Sequence, residues 1–93
     1  MTTVVTEADL RKSAAAITAA GNCTGGYFRT RADNARAWLG YYEACVRHAG
    51  LRAAHLQQQG ATAEAAEQAA LTAEYELLRG RCHQELRHAL AQA

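Results

Sequence analysis

The chain has no proline, and from Ala32 to Ala91 it is a run of helix formers interrupted only by glycines. Proline is the residue that most reliably ends a helix, because it lacks the amide hydrogen and its ring collides with the preceding turn. A stretch of this length without one, carrying a single turn signal at Gln59-Gly60-Ala61-Thr62, can become compact only by doubling back there. The spacing predicts one all-α domain over residues 1–93, with helices over about 7–20, 31–59 and 62–91 and a glycine-rich loop over 21–29. The short first helix is expected to pack on a long antiparallel hairpin formed by the other two.

Local signals agree with that division. Thr6 is placed to accept from the amide of Asp9 as an N-cap, with Val5 stapled onto Leu10 before the first turn. Gly21 is expected to stop the first helix, whose apolar stripe reads Leu10, Ala14 and Ile17. Thr30 caps the second helix, and Asp33 in its first turn suits the positive end of the helix dipole.

In the second helix Ala35, Leu39, Tyr42, Val46, Ala49, Ala53 and Leu56 alternate steps of four and three, the spacing of a helix-pairing seam. The third helix has two apolar rows. One is Leu71, Tyr75, Leu78, Cys82, Leu86 and Ala89; the other is Ala66, Ala70, Ala73 and Leu77. Folding at Gly60 makes facing residue numbers add to about 121, which sets the first row against the seam of the second helix. The alanine row is then left for the first helix or for another subunit.

Composition bears on that choice. Apolar residues make up 49% of the chain, but 23 of its 93 residues are alanine. Each buried methyl removes far less surface from water than a leucine does, at ~25 cal/mol per Å². A thin core predicts self-association, as a homodimer or higher oligomer, through Ala66, Ala70, Ala73 and Leu77.

Residues Met1–Asp9 have neither a basic nor an apolar stretch of the kind that directs export, and Cys23, Cys45 and Cys82 are odd in number. Both features predict a cytoplasmic protein with reduced thiols. No run approaches the ~20 apolar residues of a membrane span. The formal net charge of +1 is unevenly spread: between Ala53 and Leu78 the ionisable residues are His55 and four glutamates, whereas the cations elsewhere are arginines apart from Lys12.

Catalytic and metal motifs are weak. Gly21 and Gly26 have the glycine spacing of a phosphate-binding loop, but Tyr27 stands where its lysine belongs and a helix, not a strand, precedes it. Glu85-x-x-His88 has the spacing used by di-iron bundles, which need a second such pair and two further carboxylates, so a metal-binding helical oligomer is the weakest alternative and no metal or cofactor is expected. Cys45 and His48 lie one turn apart without a third group to orient the imidazole, and Cys82 and His83 point about 100° apart. These patterns predict a chain that is not an enzyme. Trp38-Leu39-Gly40 resembles the tripeptide of the Trp-x-Gly family of type VII secretion substrates. In that family the tripeptide lies in the turn between two helices and a tyrosine precedes an acid by four residues after the second. Here it falls within a periodic helix and Tyr75 is followed four residues later by Arg79, so the resemblance is confined to three residues.

The remaining signal is a surface. The hairpin brings Arg29, Arg31 and Arg36 to the same end as Arg79, Arg81 and Arg87, with Tyr27, Phe28 and Trp38 close by. Arginine with aromatics is the composition of protein interaction hot spots. It predicts a small interaction module, an adaptor or inhibitor of another protein, a class that includes the antagonists phages direct at host complexes. The alternative is a nucleic-acid-binding regulator using the same arginines on phosphates and bases.

Overall fold

A computed structural model of the protein describes residues 4–26 and 30–92. It consists of α1 (Glu7–Thr24), α2 (Arg31–Gln58) and α3 (Thr62–Ala91), and no strand occurs among the described residues. The fold is the expected one: α2 and α3 form the antiparallel hairpin, and α1 packs on it along α2. None of these helices is long and apolar enough to cross a membrane.

The turn is closed by backbone geometry that requires glycine. Gly60 has φ +79°, a left-handed conformation that costs an L residue its Cβ clearance. Around it Gly60 N donates to Gln57 O at 3.1 Å and Ala61 N donates to Leu56 O at 2.9 Å, the paired bonds of a Schellman motif that satisfy the last carbonyls of α2. Arg31 at the other end of α2 reaches both Glu85 of α3 and Gln92 just past its end, which brackets the expected pairing sum of 121. Both N-caps form as read: Thr6 Oγ1 accepts from Asp9 N at 3.2 Å and Thr30 Oγ1 accepts from Asp33 N at 3.0 Å. Asp9 returns the favour by accepting from Thr6 N at 2.9 Å, completing a capping box.

The first helix differs from expectation in length and in rotation. It does not stop at Gly21 but runs one turn further and ends at Gly25, so residues 21–24 of the expected loop are helical. Its inward face is Leu10, Ser13, Ile17, Ala20, Gly21 and Thr24, and Ala14 is exposed. Gly21 is a point of approach, not a stop: a Cβ there would meet the Tyr41 ring of α2 at 3.6 Å. Ser13, polar and therefore passed over in reading the stripe, is 5% exposed.

Burial converges on one line of α2. Cys45 is 3% exposed and Ala49 2%, while the seam residues Leu39, Tyr42, Val46, Ala53 and Leu56 are half-buried. Cys45 stands one turn from Tyr41 and His48, which meet Gly21 and Ser13 of α1, and one turn from Tyr42, which shares a cleft with Cys82 of α3, so both neighbours converge on it. The row expected to receive α1 or another subunit is open: Ala66, Ala70, Ala73 and Leu77 are all exposed, Leu77 at 69%. The shape follows from three helices laid side by side. The extents are 49 × 23 × 21 Å, and the accessible surface of 6401 Å² exceeds the ~5200 Å² expected of a folded 10.0 kDa chain.

Two substitutions test this packing. Gly21→Ala should stabilise the protein by roughly 0.5–1 kcal/mol, because the methyl gains helix propensity and meets Tyr41 at an ordinary contact distance; a loss in the urea midpoint would mean that the helix does not continue through this residue. Val46→Asp places an unpaired carboxylate between α2 and α3 and should cost roughly 2–4 kcal/mol by the same measurement.

Candidate functional site

The open end of the hairpin is assembled from the first two turns of α2 and the last three of α3. Thr30 caps α2, and its first residue, Arg31, crosses to the end of α3, donating from Nε to Glu85 Oε1 at 3.0 Å, from Nη2 to the same oxygen, and from Nη1 to Gln92 Oε1 at 3.3 Å. Arg36 pairs instead within its own helix, with Asp33 at 3.4 Å. All four charged groups remain about half exposed, so each pair contributes ~0–1 kcal/mol and mainly fixes side-chain direction.

Next to the Arg31 and Glu85 pair, Trp38 lines an open cleft of about 220 Å³ with Asn34, Ala35, Tyr42, Cys82 and Glu85. Its ring centroid lies 5.8 Å from that of Tyr41, edge-on, and 5.9 Å from that of Tyr42, tilted. Tyr41 and Tyr42 are themselves 5.4 Å apart. Such contacts add about 0.5–1.5 kcal/mol per pair beyond burial and hold the indole in one orientation at the edge of the cleft. Tyr41 reaches inward, and its hydrogen bond with the Cys45 thiol is the first cause that raises its hydroxyl above the ordinary phenol range.

The arginines of α3 do not form one patch. Arg79 is half-buried, Arg81 and Arg87 are exposed, and at about 100° per residue Arg79 and Arg81 leave the helix on roughly opposite sides. Of the residues read from the sequence, Trp38 lines this cleft, whereas Arg31 and Arg36 line a separate one with Asp33, Ala89 and Gln92; Glu85, which lines the first and accepts from Arg31, links the two. Tyr27, Phe28 and Arg29 lie outside the described residues.

Burial pushes the thiols of Cys45 and Cys82 above their ordinary range, which lowers the thiolate fraction a nucleophile needs. His48 does not serve Cys45. Its Nδ1 lies 2.7 Å from Ser13 Oγ, whose single proton is donated to Leu10 O at 3.0 Å, so the imidazole Nδ1–H donates to the serine oxygen. Ser13 is buried and its hydroxyl engaged on both sides, which makes the pair a polar rivet between α1 and α2. No group of three or more His, Cys, Asp or Glu gathers as a metal would require among the described residues, and Glu85 is engaged by Arg31.

Apolar periodicity missed this rivet, although a serine one turn from Leu10 and a histidine one turn from Cys45 were its available signals. Comparison with protein-family models, with curated proteins and with solved structures finds no significant match.

The rivet carries a pH dependence. Burial first, and Arg52 second, lower the pKa of His48 below its ordinary value near 6.5, so the folded state prefers the neutral ring. The unfolded chain then takes up a proton first on acidification. Stability is full above pH ~6.5 and falls as pH drops below it toward the folded value. Asp9, also lowered, loses its contribution only below the carboxylate range near pH 4. Thermal midpoints should therefore fall between pH 7 and 5 in the parent chain, and His48→Gln should flatten that interval while leaving the step near pH 4.

Proposed function

We propose that this chain is a non-enzymatic protein interaction module, an adaptor or inhibitor that presents the open end of its helical hairpin to another protein. The observation that carries the reading is the Trp38 cleft: a half-buried indole fixed by two tyrosines, open to one side, with Glu85 in its wall held by two nitrogens of the neighbouring Arg31. Tryptophan and arginine in a partly enclosed site are the residues that dominate protein interfaces, because they bury much area and lose little freedom. Glu85 and Asp33 among the arginines favour a partner of mixed charge over a phosphate backbone. The three free cysteines support a cytoplasmic setting, where thiols stay reduced. The exposed α3 row supports self-association, and two copies would present the open end twice.

Removing the arginines tests the surface without threatening the fold, since their ion pairs are exposed. Arg31→Ala with Arg36→Ala should leave the circular dichroism spectrum unchanged and abolish at least ~90% of the partner retained from host extract by the parent chain. Glu64→Lys with Glu67→Lys, near the hairpin turn, is the control and should retain it. Loss in the control with retention in the arginine variant would move the site to the acidic turn, and binding that collapses steeply with salt and is released by nuclease would replace the protein partner with nucleic acid.

A further inference from the structure

α3 carries a second helix-pairing seam with nothing on it. Ala66, Ala70, Ala73, Leu77, Gly80 and Gln84 follow one another in steps of four and three, and all six are exposed. Leu77, at 69%, is the most exposed large apolar side chain among the described residues of the three helices. A Cβ at Gly80 would meet nothing within 4 Å, so a depression lies beside the one protruding leucine.

The charges flanking this seam say what fits it. Glu67, Glu74, Arg81 and His88 run along one flank at heptad intervals, and Glu76 and His83 along the other. All are exposed, and none forms an ion pair among the described residues. The acids occupy the first part of the helix, and Arg81 and two histidines the second. A face of that kind is self-complementary when reversed: turned end for end, it sets Glu74 against an arginine and the other acids against histidines able to donate to them.

We propose that two copies of this chain pair through α3 in an antiparallel, two-fold arrangement in which facing residue numbers add to about 157. The inference rests on the self-association reading above and specifies its face, direction and register. In this register Leu77 seats over the partner's Gly80. Glu74 meets the partner's Arg81, Glu76 the partner's His83 and Glu67 the partner's His88, and by symmetry each contact occurs twice. A parallel pair instead stacks Arg87 on the partner's Arg87 and places the two acidic halves side by side, leaving Glu76 to face the partner's Arg81.

Charge exchange tests the register with the full chain. Sedimentation equilibrium of the parent should give a dimer at micromolar concentration. Glu74→Arg and Arg81→Glu should each raise the dimer dissociation constant by at least ~10-fold, since each creates two like-charge contacts. The double variant E74R/R81E should restore the parent value, and an equimolar mixture of the two single variants should form a heterodimer that neither forms alone. Both positions are exposed, and circular dichroism should report parent helicity throughout. A parent chain that stays monomeric to several hundred micromolar overturns the self-association reading itself. A dimer indifferent to both single reversals overturns this face. Loss in either single variant without rescue in the double overturns the register; the parallel arrangement would lose affinity on Arg81→Glu and not on Glu74→Arg.

Discussion

The structure depends on α2 being covered on two sides at once. A helix between two neighbours must carry small residues along the line where they converge, and Cys45 and Ala49 supply it at 3% and 2% exposure. Side-chain size sets interhelical distance. Where the line is small the helices approach closely, and where it gives way to Trp38, Tyr41 and Tyr42 the packing passes to large rings and a cleft opens beside them. One constraint thus produces both the tight middle of the molecule and its receptive end.

The hairpin was legible because its signals are redundant. Seven seam residues keep one phase from Ala35 to Leu56, and Gly60 alone has the backbone freedom the Schellman turn needs. The first helix was legible only at its start, where Thr6 and Asp9 form a capping box of fixed spacing. Its end and rotation were hidden for a physical reason. Gly21 reads equally as a helix stop and as a close approach, and only the Tyr41 ring on another element decides between them. Ser13 faces inward because a buried hydroxyl can be satisfied by His48 and by the carbonyl of Leu10, a pairing over 35 residues that no local pattern encodes.

The candidate site was legible in kind more than in arrangement. Sequence placed arginines and aromatics at one end of the hairpin, and there Trp38 lines one cleft and Arg31 and Arg36 another, with Glu85 between them. It treated the arginines as one charged surface, whereas Arg31 is held by Glu85 and Arg36 by Asp33, and those of α3 radiate to different sides. Helical phase separates charges that are near in number, so a patch inferred from composition becomes a set of paired and unpaired positions once the faces are fixed. The pairs matter less as stabilisers than as constraints on direction: a guanidinium held by a carboxylate presents one edge, and that narrows the partners it can accept.

The segregation of charge along α3 admits two physical origins, and position distinguishes them. Acids early and cations late in a helix complement the macrodipole, which accounts for Glu64 in the first turn and His88 in the last. That field fades within a turn of each end. Glu74, Glu76 and Arg81 lie in the interior of a 30-residue helix, far from either terminus, where the dipole offers them little. They flank the one face of the hairpin that neither α1 nor α2 covers, on a molecule whose surface is already larger than its mass requires. An interior charge pattern that is indifferent to the isolated helix, and complementary to its own reverse, is what the proposed antiparallel pairing of two copies would use.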